Sequence, residues 1–372
     1  MENLIKILNG FVKEVEKSKD SNINSKKIVD EIEFICRNIR IKAPIRFLLS
    51  CSVAKIDKPE IDIRKPYTEI EGDDTYSGRS YDENVVQQII EEHDLPCNTT
   101  TAYLTPAFRN RNTIMLPETE LVGRQPKLYK VALDLLNEVH KEDISPEQLF
   151  KEIVRQLIII RNENANRIGQ LIKSLSLEYQ THFLSSEQIV TLLIQHLACK
   201  NSSRLPVLIV AAAYQSVSDL IKEDIKPLQA HNAADKQTGA NGDIEVILSN
   251  NDNVITSYEM KAKRVTKSDI DIAIKKIVNS MLRIDNYIFI TTEYIDVEVE
   301  DYARSFYDTT GIEIAILDCI GFIKHFLHFF HRRRNKFLER YQELILNEPN
   351  SSVNQPLKEA FLALRQAAET EK

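Results

Sequence analysis

Five charged side chains crowd the two ends of the stretch 242–263, GDIEVILSNNDNVITSYEMKAK: Asp243, Glu245, Glu259, Lys261 and Lys263. Two carboxylates beside an amine suit a hard divalent cation. Mg²⁺ takes oxygen ligands, keeps several waters and often uses only one or two protein carboxylates. Next to a phosphodiester such an ion can polarise a phosphoryl oxygen, lower the pKa of a bound water and support the leaving oxygen. A nearby lysine can orient the attacking water or offset the charge that builds on phosphorus. Glu259 and Lys261 are two residues apart, so in an extended strand they project from the same side. Charged residues also end many ordinary hairpins, and Glu-x-Lys alone carries little weight. Asp243 together with Glu259 and Lys261, placed inside a sheet, carries more.

The elements that must position these groups are a hairpin and its surroundings. The apolar runs IEVIL and VITSY flank the polar turn SNNDN. A turn centred between Asn251 and Asp252 sets Asp243 across from Met260, next to Glu259 and Lys261. Glu259, Lys261 and Lys263 then share one face, as do Asp243 and Glu245, and a slip of one residue would change which faces meet. Upstream, SSEQIVTLLIQHLACK and RLPVLIVAAAYQSVSDLI read as two helices, 186–199 and 205–222, the second apolar nearly all round and so buried. Downstream, a helix with Ile270, Ile274, Ile277 and Met281 on one face precedes the strand NYIFITT. The helix VEVEDYARSFYDTTG and the strand IEIAILDC follow, then a long helix over 320–346 and a last one near 355–370. Helices alternating with strands in this order predict an α/β domain with a mixed sheet.

The first half reads differently. Residues 1–50 are helical in pattern, with Ile28, Ile32, Ile35 and Ile39 at helical spacing. Residues 56–84 hold Pro, Gly and Asp at turn positions, residues 85–92 are helical, and LPCNTTTAYLTPAFRNRNTIML reads as loop. Helix returns over 126–180, where Ser145, Pro146 and Gln148 form the pattern of an N-terminal capping box. The expected organisation is a mainly helical, loop-rich region 1–185 and an α/β region 186–372.

Composition narrows the function classes. The 372 residues are 43% hydrophobic and 28% charged, with a formal net charge of −7. That balance counts against a whole-surface nucleic-acid binder but not against a local basic channel. Nine glycines leave no Gly-rich phosphate loop, and five scattered cysteines without a CxxC suggest neither zinc ribbon nor disulfide framework. The N-terminus reads as an amphipathic helix rather than a signal peptide, no run is long enough to span a membrane, and the cytoplasm is the expected compartment.

Other residues have two readings each. Arg332, Arg333 and Arg334 in HRRRNK are either a solvated helix face or a phosphate clamp. His325, His328 and His331 recur every three residues and drift around a helix, whereas a helical metal pair prefers a four-residue step, which argues against zinc. Arg109 and Arg111 in FRNRN could read base edges or simply belong to a turn. Lys236, Gln237 and Thr238 in DKQTGANG precede Asp243 and would face whatever enters the site, or form a plain loop. Arg79 and Tyr81 sit near acids, where an ion pair is the simpler reading, and Ser77 has no His/Asp partner pattern for serine hydrolysis.

GD…YEMK within a helix–strand–strand–helix–strand order resembles the PD-(D/E)xK nuclease superfamily, with Gly242 where a proline is loosely kept. Longer segments, among them RKPYTEIEGDDTYSGRSYDE, NTTTAYLTPAFRNRN, AHNAADKQTGANGDIEV, YEMKAKRVTKSDI, GIEIAILDCIGFIKHFLHFFHRRR and QPLKEAFLALRQAAE, resemble the SacI-type restriction endonucleases. These run from about residue 60 to the C-terminus. The resemblance implies a Mg²⁺-dependent type II enzyme that cuts double-stranded DNA at a short palindrome, leaves 5′-phosphate ends, acts as a homodimer and is accompanied by a protective DNA methyltransferase. It implies Asp243 and Glu259 as metal ligands and Lys261 as the catalytic lysine, with Glu245 and Lys263 beside them or facing DNA. Many superfamily members add a Glu from the helix before the hairpin; here AAAYQSVSDL offers Gln215 and Asp219 but no Glu. A structure-specific or repair nuclease on the same core, or a non-catalytic DNA-binding protein, would share the hairpin.

Overall fold

The computed structural model describes residues 2–18, 20–38, 40–98, 100–109, 111–177, 183–228, 242–280 and 284–370. They divide into two compact units, 1–166 and 167–372.

The first unit is helical. Helices α1 (Glu2–Lys17) and α2 (Lys26–Cys36) each bury one stripe, Leu4, Leu8, Val12 and Val15 in the first and Ile28, Ile32 and Ile35 in the second. That three-to-four-residue recurrence is what a one-sided helix needs. Helix α3 (Ala43–Asp57) is instead buried along every residue from Ala43 to Ala54, which makes it the centre of the unit. Phe47 on α3 stacks on Phe108 with ring centroids 4.0 Å apart. The segment expected as helix only over 85–92 begins earlier. It runs as α4 (Gly78–Tyr81), a π-helical turn (Asp82–Val86) and α5 (Gln87–Glu92), opened by the Ser77 hydroxyl, which accepts the Ser80 N–H. The π turn carries Asp82 into the interior, where Arg46 of α3 meets it. Helix α6 (Pro126–His140) and α7 (Pro146–Leu177) follow. At the start of α7 the Ser145 hydroxyl accepts the Gln148 N–H at 3.0 Å while the Gln148 side chain accepts the Ser145 N–H at 2.9 Å, the expected capping box.

The division between the units falls inside α7, ahead of 185/186. The physical reason is that Ile168, Leu171 and Leu175 pack against the second unit's core.

The second unit is α/β. Helices α8 (Ser186–Leu197) and α9 (Leu205–Ile221) lead to a five-stranded sheet of β1 (Glu223–Ile225), β2 (Ile244–Leu248), β3 (Asn251–Lys261), β4 (Asn286–Thr291) and β5 (Glu313–Asp318), in that spatial order. β1, β2 and β3 pair antiparallel, and β3, β4 and β5 pair parallel. The parallel steps are made by α10 (Lys267–Ser280) between β3 and β4, and by α11 (Val297–Arg304) and α12 (Tyr307–Thr310) between β4 and β5. After β5 come α13 (Cys319–Phe329), α14 (Arg334–Asn347) and α15 (Gln355–Thr370).

Strand side chains alternate faces, so the sheet carries two cores. Ile244, Val246, Tyr258 and Ile290 face α8, α9, α13, α14 and α15. Val254, Tyr287, Phe289, Ile314 and Ile316 face α10 and α11, which contribute Ile270, Ala273, Ile277, Val299 and Ala303. The sheet gains β1, which the sequence reading did not mark as a strand: KEDIK has no apolar run, because an edge strand of three half-buried residues needs none. The expected helix over 320–346 is two helices. It breaks at Phe330, where ψ turns to 43° and a 3₁₀ turn (His331–Arg333) intervenes. The break lets Phe326 of α13 and Phe337 of α14 meet in the core, ring centroids 6.0 Å apart.

Candidate active site

The hairpin closes on two residues, Ser249 and Asn250, since Leu248 pairs with Asn251. Irregularities between Val246 and Ile247 and between Ile247 and Leu248 then move the register, so that Ile244 lies opposite Tyr258 and Glu245 opposite Ser257. Asp243 lies in the bend just before β2, outside the paired ladder. Ile244 and Tyr258 take the face covered by α9 and α13, and Glu245, Glu259 and Lys261 alternate to the other.

Asp243 ends the ladder with its side chain, its Oδ2 accepting the Met260 N–H at 2.7 Å. Gly242 just before it runs so close to β3 that a Cβ would lie 2.5 Å from the Tyr258 carbonyl oxygen. A glycine at this position is therefore a steric requirement.

Glu259 and Lys261 stand at the carboxyl end of β3, level with the ends of β4 and β5, where Lys261 is in register with Thr291 and Thr291 with Asp318. The crevice beyond the carboxyl ends of parallel strands is where open α/β sheets place their ligands. The Lys261 ammonium lies 3.1 Å from Glu259 Oε1 and 3.4 Å from Asp269 Oδ1. On the other oxygen, Glu259 Oε2 accepts the Tyr287 hydroxyl at 3.3 Å and has Lys276 Nζ at 3.7 Å. Burial pulls the Lys261 ammonium down, but Glu259 and Asp269 outweigh it and hold the group above its ordinary value. Burial pushes the Asp269 carboxyl up, and the Thr266 hydrogen bonds with Lys261 more than reverse it, so its pKa lies below the usual range.

Asp269, Lys276 and Tyr287 were not singled out from the sequence. Asp269 had a signal: Thr266-x-x-Asp269 before an apolar-periodic run is a capping pattern. In the structure the Thr266 hydroxyl and N–H both donate to Asp269 Oδ2, at 2.6 and 3.0 Å. Lys276 is two helical turns on, hence on the same side of α10.

The remaining candidates separate. Glu245 pairs with Lys226 of the segment after β1 at 3.3 Å. Lys263 is exposed beyond the strand, its carbonyl accepting the Thr291 hydroxyl at 3.2 Å. Asp219 is engaged by Arg333 at 2.6 Å and Lys336 at 3.1 Å, and Gln215 lines a polar pocket with Arg340 and Glu343. Arg333 is thus held in an ion pair, while Arg332 is exposed and Arg334 half-buried at the helix break. His328 bonds Glu187 at 2.9 Å. Arg109 is exposed and Arg111 donates to the Ala107 carbonyl at 3.1 Å, both in the first unit. Arg79 pairs with Glu83 and Tyr81 donates to Asp57. Lys236, Gln237 and Thr238, like Ile39 and Met281, lie outside the described residues.

The donor set can be tested against a divalent cation. Among the described residues no group of three or more His, Cys, Asp or Glu forms a metal-holding cluster, so no all-protein cage is built. Glu259 at the end of β3, and Asp243 held at the neighbouring Met260 N–H, are a donor set that fits a hard ion keeping most of its waters and sharing its shell with substrate phosphate.

No helix among the described residues is long and apolar enough to cross a membrane. No curated protein matches the chain. Residues 181–292, which carry α8, α9, the hairpin, α10 and β4, match the family model of the SacI restriction endonuclease C-terminal domain, and this match supports a restriction endonuclease family.

Proposed function

We propose that the protein is a type II restriction endonuclease that hydrolyses phosphodiesters of double-stranded DNA at a specific site with Mg²⁺. The observation that carries this reading is where the charged cluster falls. Glu259 and Lys261 stand together at the end of β3 and Asp243 bonds the Met260 N–H between them, inside the segment similar to the SacI restriction endonuclease C-terminal domain. Asp243 and Glu259 would hold the ion, with Asp243 Oδ2 steadied by the Met260 N–H. Bound there, Mg²⁺ would supply polarisation of a phosphoryl oxygen and a lowered pKa for water. Lys261, kept protonated by its two carboxylate neighbours, would set positive charge beside the phosphate where negative charge builds in the transition state. The products would carry 5′-phosphate and 3′-hydroxyl ends.

The helical first unit would help grip and read DNA, with Arg109 and Arg111 as candidates for backbone or base contact. Lys263 beyond the strand end, and Arg332 and Arg334 at the helix break, would meet phosphate. A palindromic target would be matched by a two-fold homodimer, and a DNA methyltransferase of the same specificity would protect the host.

Digestion of unmethylated plasmid with Mg²⁺, followed by sequencing of the ends, tests the reading. Discrete fragments with one shared end sequence are expected. Cleavage confined to branched or flap substrates would move the assignment to a repair nuclease, and DNA binding without cleavage to a binding protein. Full cutting by both Asp243→Ala and Lys261→Ala would place the site elsewhere.

A further inference from the structure

We infer that Asp269 is a positioning residue for Lys261, tying the lysine to the start of α10 independently of Glu259; this rests on the nuclease reading of the site.

Lys261 is shared between two acids with different freedom. Glu259 offers Oε1 to Lys261 and Oε2 to Tyr287 and Lys276, and it is the acid proposed to turn towards a divalent cation. A carboxylate drawn to a dication is a weaker partner for an ammonium, because the ion takes up the same lone pairs and adds like charge. Asp269 has no such second duty. Its Oδ2 is fixed by the Thr266 hydroxyl and N–H, and the Thr266 hydroxyl in turn accepts the Asp269 N–H at 3.3 Å. Its Oδ1 points to Lys261 at 3.4 Å, and its side chain is 9% exposed. A short acid locked at a helix start has little rotamer freedom left, so it defines one place for its partner. Glu259 can therefore change partners while Asp269 keeps the ammonium at the end of β3. Without Asp269, Lys261 is a long side chain at the rim of the sheet left with Glu259, the acid that the ion recruits.

The α10 face makes this a property of the helix as a whole. Asp269 reaches Lys261, Lys276 reaches Glu259, and Ile270, Ala273 and Ile277 pin the helix to the sheet between them. The length of the link from β3 to α10 is thereby coupled to where the lysine stands.

Two measurements on the full chain test the inference. In metal-free protein, amine acylation followed by mass spectrometry reads how far each lysine is held. Asp269→Asn should raise the labelling rate of Lys261 several-fold and leave Lys276, on the same helix, unchanged; Asp269→Glu should restore most of the protection. In steady-state cleavage, Asp269→Asn should lower kcat by about 10- to 100-fold with KM for DNA held. Unchanged labelling of Lys261, or a rise shared with Lys276, would overturn the inference, the second outcome marking a loosened helix. The labelling does not depend on activity. A wild-type protein that cuts no DNA would sink the nuclease reading and leave the positioning result standing. A cutting enzyme indifferent to Asp269→Asn in both measurements would do the reverse.

Discussion

Two acid–base clusters, one in each unit, are built from the same groups and differ in what encloses them. In the first unit Arg46 and Asp82 are 1% and 0% exposed. Arg46 Nε donates to Asp82 Oδ1 at 2.5 Å and Nη1 to the Asn98 carbonyl, while Asp82 Oδ2 accepts from the Thr101 hydroxyl and the Ala102 N–H. Each of these partners is protein, and nothing from outside can reach the pair. In the second unit Lys261 and Glu259 are 21% and 18% exposed, at the open end of parallel strands. Their attachments come from α10 and β4, which leaves the crevice side to an incoming ligand. An enclosed ion pair holds the fold, because removing either half strands the other in low dielectric. A half-open one can exchange a partner at little cost to stability and is the better place for chemistry.

The comparison is sharpened by what each cluster should lose. Lys261→Ala should lower the cleavage rate by roughly 10³-fold, about 4 kcal/mol of transition-state stabilisation, while its thermal midpoint stays close to the parent's. A rate within tenfold of the parent in single-turnover assays would remove Lys261 from the chemistry. Asp82→Ala should do the opposite in kind, lowering the unfolding free energy of the first unit by about 3–5 kcal/mol. A mild loss in urea titrations would mean that water reaches Arg46 after all.

His196 gives a third contrast, a buried titratable group without an ion partner. Its ring nitrogens meet the Tyr341 hydroxyl and the Leu357 carbonyl, both at 3.0 Å, and burial lowers its pKa from 6.5 to about 4. The unfolded imidazole takes up a proton below its ordinary pKa and the folded one only near about 4, so stability is full above 6.5 and falls as pH drops through that window. The loss should reach about 3 kcal/mol in all, seen as a falling urea midpoint that His196→Asn flattens. A pH-independent midpoint would show that the folded ring protonates freely. The smallest effect is local. Ser185 caps α8 through a box with Gln188, and Ser185→Ala should cost about 1 kcal/mol by urea titration. A cost near zero would mean that packing alone holds the start of α8.

Much of this was legible in the chain because it is encoded over a few residues. Ser145 with Gln148, the stripes of α1 and α2, the apolar α9 and the hairpin runs all declare themselves at spacings of two to four. The acids and the lysine could be picked out because charge at the ends of apolar strands is conspicuous. β1 was missed because an edge strand can be short and polar. The long helix over 320–346 was drawn too long because periodicity continues across Phe330, while the break serves a contact between Phe326 and Phe337.

By itself, then, the sequence determined the fold class of each half, α/β in the second and helical in the first, and which charged residues stand at the hairpin's open end. Only the tertiary structure decided which residues of β3 the start of β2 meets: Ile244 lies opposite Tyr258, and Asp243 bonds the Met260 N–H. Two irregularities move the register by three residues between Leu248, opposite Asn251, and Val246, opposite Thr256. It also decided that Arg333 is occupied by Asp219, and that Asp269 and Lys276 of α10 reach the strand ends. Periodicity and capping are local and survive in one dimension; register and ion partners are set by side chains far apart in the chain, whose meeting is fixed only once the core has closed.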